Sequence, residues 1–272
     1  MISRERSGRE ATLSRLLSLP GIPPLIALAG LLTAWELAAR ALAIDGLPPA
    51  HAALRAIPGI LGDPEALLDI LSSLRRMAIG FALALVFAVP AGLMMGRSRL
   101  IAAFFNPLLM VIYPVPKAAL MPIIMLWLGV GDAAKTLVIF LGVSLPLIYH
   151  SFQGARAVEE KMLWSAAAMG MSAPLRLARI VFPAALPEIF VGIRTGLVLA
   201  LITMVTSEMI VRQSGIGNIL FNSLDMAQYD AVYATIVIIG ALGFVLDAGF
   251  ELLRGRLVAW AEPRHAIAVG TA

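Results

Sequence analysis

Residues with the potential for chemistry are few in this chain of 272 residues. The segment GVGDAAKT, residues 129–136, comes close to a phosphate-binding loop, whose pattern is Gly-x-x-x-x-Gly-Lys-Ser/Thr. Ala134 replaces the second glycine, and the segment does not lie between a predicted strand and a predicted helix. We therefore predict that the chain does not hydrolyse ATP, so that any ATP-driven step needs another polypeptide.

Catalytic and metal-binding patterns are also missing from the sequence. The histidines His51, His150 and His265 lack the spacing of metal ligands, and there is no cysteine. Neither the His-Glu-x-x-His pattern nor the Gly-x-Ser-x-Gly pattern of hydrolases occurs. The sequence predicts a protein that is not an enzyme and that has no catalytic residue, metal site or cofactor.

The composition indicates that a membrane is the natural solvent of this chain. Hydrophobic residues make up 60% of the sequence and charged residues 14%, whereas soluble domains average about 45–50% and about 25%. The net charge is +4, but the basic residues are scattered between apolar runs instead of forming a stripe with aromatic residues. We predict contact with membrane lipid and none with nucleic acid.

Six segments are predicted to cross the bilayer, because each has close to the 20 mostly apolar residues that a spanning helix needs. The first resembles a signal peptide, since arginines precede it and Ala41-Leu42-Ala43 imitates a cleavage site. Glu36 and Arg40 lie before that site, which favours an uncleaved span. The predicted spans are residues 23–42, 77–96, 101–128, 135–153, 188–211 and 231–252.

The distribution of Lys and Arg favours cytoplasmic N- and C-termini. In that orientation five basic residues face outward, and the adjacent Arg75 and Arg76 among them oppose the rule; the five are Arg55, Arg75, Arg76, Lys135 and Arg212. Thirteen face the cytoplasm: Arg4, Arg6, Arg9, Arg15, Arg97, Arg99, Arg156, Lys161, Arg176, Arg179, Arg254, Arg256 and Arg264.

Charged residues within the third and fifth predicted spans are candidates for a translocation pathway, because charges in lipid are costly. Pro114 and Pro116 are expected to break the third helix, and irregular backbone at membrane depth is tolerated where it lines a cavity. Lys117 beside them could attract an anion, or it could snorkel or pair with a carboxylate. Arg194, near one end of the fifth span, is expected to snorkel.

The far end of the fifth span carries a second set of pathway candidates. Glu208 could line the pathway or pair with Arg212 one helical turn later. Gly215 and Gly217, in the segment SGIGN, predict either a tight loop that returns toward the pathway or a plain turn before the next helix.

The segment WSAAAMGMSAPLRLARIVFPAALPEIF, residues 164–190, predicts a helical hairpin between two apolar spans. Strong helix formers run to Met169, and Gly170 allows the left-handed turn that ends a helix. Ser172 can cap the next helix, Pro174 is tolerated in its first turn, and Pro183 is expected to end it. Small side chains would let another protein approach the backbone; these are Ser165, Ala166, Ala167, Ala168 and Gly170.

This hairpin resembles the cytoplasmic EAA loop of ABC importer permeases. Ala166 and Gly170, followed after nine residues by Ile180 and then by Phe182 and Pro183, fit the pattern of that loop. Further segments resemble the permeases for nitrate, sulfonate and taurine: SSLRRMAIGFALALVFAVPAGLMMGRS (72–98), PLIYHSFQGARAVEEKMLWSAAAMG (146–170), FPAALPEIFVGIRTGL (182–197) and SEMIVRQSGIGNIL (207–220).

The resemblance implies an all-α polytopic membrane protein with six transmembrane helices and the type I ABC importer permease fold. The cytoplasmic loop 154–187 would carry a coupling hairpin that inserts into a separate ATP-binding subunit. Residues 23–258 would form the membrane domain, with residues 1–22 and 259–272 as cytoplasmic tails. The implied partners are a second copy of the chain, two ATP-binding subunits that hold the ATP, and a periplasmic or lipid-anchored solute-binding protein.

The resemblance also implies roles for individual residues. Two positions depart from the pattern: Trp164 occupies the place of the family's glutamate, six residues before Gly170, and Ser165 follows where alanine is usual. The missing glutamate puts its contact with the ATPase in doubt. The candidates for coupling are Glu159, Trp164, Ser165, Ala166, Ala167, Gly170, Ser172, Arg176, Ile180 and Pro183. The candidates for the pathway are Pro114, Pro116, Lys117, Glu208, Gly215 and Gly217.

The function implied by the resemblance is ATP-driven import of a small solute, an anion of the sulfonate, nitrate or taurine type, across a bacterial inner membrane. One alternative is a structural membrane scaffold, and the other is a secondary transporter that is driven by an ion gradient and has no ATPase. Such a transporter would need an ion relay within the membrane and often shows inverted repeats, and the sequence shows neither clearly.

Overall fold

The computed structural model describes residues 22–261, and within that range the chain is helical and has no β-strand. The expected cytoplasmic tails lie almost entirely outside the described residues. The helices are α1 (Ile22–Leu42), α2 (Ala50–Gly62), α3 (Pro64–Arg97), α4 (Arg99–Ile112), α5 (Met121–Leu128), α6 (Asp132–Ala157), α7 (Glu160–Ala168), α8 (Ala173–Arg176), α9 (Phe182–Val211), α10 (Ile216–Asp225) and α11 (Tyr229–Leu257).

The spanning helices confirm an all-α polytopic membrane protein. Five segments are long and apolar enough to cross a bilayer, and a sixth span results if α4 and Lys117–Leu128 are counted together. Helix α3 begins at Pro64 and not at residue 77, since Pro64 occupies its first turn and the side chain of Asp63 accepts a hydrogen bond from Glu65 N–H. The five segments are Ile22–Leu42, Pro64–Arg97, Asp132–Ala157, Ala173–Val211 and Tyr229–Leu257.

The predicted break in the third span is confirmed. Helix α4 ends at Ile112, and Lys117–Leu128 leaves it at an angle of 85°. Pro114 and Pro116 lie in the connection, where both prolines lack the N–H that a continuous helix would need.

Helices α3, α6 and α9 form the packed centre of the described chain. Gly80, Ala84, Ala88, Gly92 and Gly96 follow one another at four-residue intervals on one face of α3. A Cβ atom at Gly92 would lie 2.5 Å from the carbonyl oxygen of Ile148, so α6 passes directly over this glycine. Small residues let helices approach closely in a bilayer, where packing, and not the hydrophobic effect, holds helices together.

Helices α1 and α11 lie at the periphery of this centre. Trp35 Nε1–H of α1 donates to the carbonyl of Pro48 at 3.0 Å, and its ring lies 5.5 Å from that of Tyr233 in α11. Arg194 of α9 forms a two-pronged ion pair with Asp247 of α11, with both N–O distances at 2.8 Å, instead of reaching alone toward the membrane surface. These polar contacts fix α1 and α11 to the rest of the molecule.

Candidate functional sites

The hairpin expected from the sequence is present, and its turn has a well-defined hydrogen-bond pattern. Helix α7 ends at Ala168, and Gly170 has a left-handed φ of +82°. Gly170 N–H donates to Ala167 O at 2.9 Å and Met171 N–H donates to Ala166 O at 3.0 Å. These two bonds form a Schellman motif, which satisfies carbonyls at the helix end and requires the left-handed residue between them.

The second arm of the hairpin differs from the prediction, because Pro183 does not end it. A π-helical turn, Leu177–Val181, follows α8, and Phe182 N–H donates to Leu177 O five residues back. Pro183 then lies in the first turn of α9. The wider turn shifts the hydrogen-bond register before the proline, so the chain remains helical through Pro183. The second arm of the hairpin and the fifth span therefore form one continuous helical segment, Ala173–Val211. Ser172 precedes α8, but its hydroxyl makes no capping bond.

The surface of the hairpin divides the coupling candidates into two groups. Leu163 and Ala166 are buried against the body of the protein, so Ala166 does not offer a surface to a partner. Arg176 Nη1 donates to Leu163 O at 3.4 Å and links the two arms, and Ile180 is half-buried. The exposed candidates are Glu159, Trp164, Ser165, Ala167, Gly170 and Ser172.

A cavity of about 610 Å³ separates the hairpin from the junction of α3 and α4. Trp164 lines it from the hairpin side, together with Leu163 and Leu177, while Arg97 and Ser98 line the opposite wall. Trp164 is nevertheless 64% exposed. The residue that replaces the family's glutamate therefore gives this edge of the hairpin an apolar surface and carries no charge.

Lys117 makes local contacts at the break in the third span. Its ammonium group donates to three backbone carbonyls at the end of α4, those of Ile112 at 2.6 Å, Tyr113 at 3.3 Å and Val115 at 2.5 Å. An ammonium group has three donors, so these carbonyls use all of them. Lys117 thus satisfies carbonyls at the end of the broken helix, and within residues 22–261 no carboxylate pairs with it. Its role in a translocation pathway stays a prediction.

A polar cluster lies where helices α3, α6 and α9 meet the segment after α9, and we define it as Ser73, Arg76, Asp132, Lys135, Glu208 and Ser214. Four of these residues are buried, Ser214 is half-buried and Asp132 is exposed at the edge. Arg76 of α3 and Glu208 of α9 form an ion pair at 2.7 Å, and both side chains are 1% exposed. Arg76 also contacts Asp132 at the start of α6 at 2.6 Å. Arg76, one of the two arginines that oppose the charge rule in the predicted orientation, is therefore buried and paired with two carboxylates.

Glu208 also holds the loop after α9. Ser73 Oγ–H donates to Glu208 Oε2 at 2.9 Å, and Ile216 N–H donates to that hydroxyl at 2.9 Å. Gly217 N–H donates to Glu208 Oε2 at 3.1 Å. A Cβ atom at Gly215, where φ is +110°, would overlap the Glu208 carboxylate, so the loop returns and lies directly on this residue. Helix α10 begins at Ile216 directly after this tight turn, so Gly217 and Asn218 of SGIGN are helical. The return of this segment toward a translocation pathway stays a prediction.

The pairing of Glu208 with Arg212 does not occur. Arg212 instead pairs with Asp225 at 2.9 Å, and its guanidinium carbon lies 3.5 Å from the centre of the Phe221 ring. Arg212 has a left-handed φ of 49°, which turns the chain out of the helix before the SGIGN loop.

The segment GVGDAAKT supplies two members of the cluster. Lys135, at the position of a phosphate-loop lysine, is buried and donates to Ser214 O at 2.9 Å. Asp132 accepts hydrogen bonds from Arg75 and Arg76. Both side chains are therefore engaged with other parts of the chain.

Sequence reasoning found Glu208 and missed Arg76, Ser73 and Lys135. Their spacing could have identified Arg76 and Ser73. Residues 73, 76, 80 and 84 lie on one face of α3, and this face also carries the small residues that pack against α6. A serine and an arginine on the packing face of a spanning helix predict a buried polar partner.

The ion pair gives a stability prediction. Glu208→Ala leaves Arg76 buried with one of its two carboxylates removed, and loss of one partner of a buried pair costs about 3–5 kcal/mol of folding free energy. Asp225→Ala breaks the Arg212 pair, whose side chains are about half exposed, and exposed pairs contribute about 0.2–1 kcal/mol. Denaturant unfolding in detergent measures the free energy of unfolding of both variants. Equal decreases in that free energy would show that the buried pair contributes no more to stability than the exposed pair.

Residues 88–258 match the family described as "Binding-protein-dependent transport system inner membrane component". The "Taurine transport system permease protein TauC" of Escherichia coli (strain K12) is 31% identical over 241 residues, which cover 86% of this chain and 87% of that protein. The "Putative aliphatic sulfonates transport permease protein SsuC" of Bacillus subtilis (strain 168) is 30% identical over 69% of this chain and 68% of that protein. The "Nitrate import permease protein NrtB" of Synechocystis sp. is 26% identical over 87% and 89%.

Proposed function

The chain belongs to the family of binding-protein-dependent transport system inner membrane components, and we propose that it imports a small anion of the sulfonate, nitrate or taurine type. It is a multi-pass membrane protein and the permease of an ABC importer. The observation that supports the solute class is the 31% identity with the taurine permease over most of both chains. A solute-binding protein would deliver the anion to the outer face.

The geometry supports the hairpin as the point of coupling to a separate ATP-binding subunit. Its turn is fixed by the Schellman motif at Gly170, and Arg176 links its two arms. The second arm is continuous with the fifth span, so a force on the hairpin acts on that span without an intervening flexible loop. ATP can drive a conformational change only if its contacts differ between the two states of the importer. A rigid hairpin transmits a displacement of the ATP-binding subunit to the span instead of absorbing it.

The proposed assembly contains two copies of the chain and two ATP-binding subunits, because each chain has one hairpin and two-fold symmetry is the commonest arrangement of identical subunits. Both termini are proposed to be cytoplasmic, which places the hairpin in the cytoplasm and the polar cluster on the outer side. Burial of Arg76 supports this orientation, because it removes one of the two arginines that oppose the charge rule.

Uptake into proteoliposomes tests this function. The chain, its co-purified ATP-binding subunit and the solute-binding protein are reconstituted, ATP is enclosed, and labelled taurine, an alkyl sulfonate or nitrate is added outside. We expect uptake of at least one of these anions that requires hydrolysable ATP. Uptake that needs only an ion gradient would identify the chain as a secondary transporter and overturn the proposal.

A further inference from the structure

The segment after the fifth span is attached to the helix bundle in an unusual way. We call residues 212–225 the outer segment. At Gly215 and Gly217 this segment has no side chain to pack, and its backbone instead contacts the Glu208 carboxylate and the Ser73 hydroxyl. Ser214 adds bonds to Lys135 and Arg76. Buried polar groups from three different helices thus hold the start of the outer segment in place.

Such a contact has a physical advantage where two surfaces must separate. A buried ion pair adds little net stability, because removal of the two charges from water offsets most of their attraction. When water enters and the pair separates, each charge recovers its hydration. An apolar contact of the same size recovers nothing when it is exposed to water. A polar cluster therefore keeps the closed and open states of a contact close in free energy.

The cluster is also linked mechanically to the hairpin. Glu208 lies on α9, whose helix runs without interruption from the second arm of the hairpin as Ala173–Val211. The other partners lie on α3 and α6, so movement of α9 relative to these helices changes the Arg76–Glu208 distance. At 1.5 Å per residue, Phe182 and Glu208 are separated by about 39 Å along α9. The helix spans the distance between the two sites.

We propose that the Arg76–Glu208 pair is a latch that holds the outer segment on the helix bundle and opens in each transport cycle. Arg76 and Glu208 are positioning residues, because they act through the outer segment and not by contact with the solute. The proposal rests on the proposed function, since the cycle that opens the latch is that of the ATP-driven importer.

Single cysteines can report on the latch, because the natural chain has no cysteine. Ile216 is fully buried beneath the latch, so Ile216→Cys is the reporter. Asn218→Cys is a second reporter, also buried, in case the first variant does not fold. Met226→Cys is the control, because Met226 is 68% exposed just beyond α10 and needs no opening to react. The measurement is the rate of labelling by a membrane-impermeant maleimide outside proteoliposomes of the complete importer.

We expect the labelling rate of Ile216→Cys to rise roughly tenfold when ATP and loaded binding protein drive turnover. A tenfold rise corresponds to a change of about 1.4 kcal/mol in the free-energy difference between the closed and open states. Adding Glu208→Gln should raise the labelling rate without ATP by a similar factor. Ser73→Ala, a smaller change, should raise it less. The rate for Met226→Cys should stay constant in all these conditions.

Two results would overturn the latch. One is continued ATP-driven uptake while both buried cysteines stay protected during turnover, which would make the cluster a static support. The other is an unchanged labelling rate in folded Glu208→Gln and Ser73→Ala proteins. Failure of the proposed function has a different signature, namely absence of ATP-dependent uptake by the complex that contains the natural chain.

Discussion

Replacement of Gly170 by valine is expected to reduce ATP-driven uptake about tenfold or more, while the protein still inserts and its complex still hydrolyses ATP. Gly170 has a φ of +82°, which costs an L-residue about 1–2 kcal/mol and a β-branched residue more. No atom lies near its missing Cβ, so the effect comes from the backbone alone. A turn that relaxes from this conformation loses the Schellman bonds and changes the angle between the hairpin arms.

Gly129 provides a matched control for this prediction. It also has a left-handed φ, +73°, and open space around its missing Cβ, but it lies between α5 and α6 and not in the hairpin. Its ψ of 178° places Gly129 in a region that only glycine normally adopts, so Gly129→Val also introduces backbone strain, but outside the hairpin, and should retain coupled uptake. Parallel assays of uptake and ATP hydrolysis distinguish the two variants. Normal uptake by a well-expressed Gly170→Val protein would remove the basis for a coupling role of this turn.

Replacement of Gly92 by leucine is expected to abolish the folded protein. The Cβ atom would lie 2.5 Å from Ile148 O and 2.6 Å from the Ser151 Cβ, so a backbone and a side chain of α6 block it. Overpacking of a well-packed core by a few methylenes costs about 1–3 kcal/mol, and here α3 and α6 must also separate. Size-exclusion chromatography in mild detergent measures the folded fraction.

Gly249→Leu is the control for Gly92→Leu. Gly249 lies on the spanning helix α11, and its missing Cβ has no atom within 4 Å. The same substitution there tests the general effect of leucine in place of a helical glycine, without a clash between helices. Recovery of folded, active Gly92→Leu protein would mean that α3 and α6 do not pack in the described way.

Local signals in the sequence were sufficient to predict the hairpin turn. Gly170 after a run of helix formers, followed by Ser172 and Pro174, identifies the end of one helix and the start of the next. The error at Pro183 has a physical cause. Proline ends a helix because it removes one N–H and its ring clashes with a carbonyl four residues back, and a π turn before the proline changes which carbonyl lies there.

The polar cluster was less accessible to sequence reasoning. Neighbours at one helical turn can be read from spacing, which suggested Arg212 as the partner of Glu208. The actual partner, Arg76, is 132 residues away in the chain, and no local rule connects residues at that separation. A hydropathy window also places the end of the second span at Arg75 and Arg76, although α3 continues through them to Pro64.

Cross-linking of the hairpin tests the central claim most directly. Ser165 is exposed on α7, and Ser165→Cys introduces one cysteine into a chain that otherwise has none. In membranes that contain the complete importer, a thiol-directed cross-linker should join this cysteine to the ATP-binding subunit, whereas Met226→Cys should give no such product. Reaction of the Ser165→Cys protein with an impermeant reagent from outside, or absence of any cross-link to a nucleotide-hydrolysing subunit, would contradict the account.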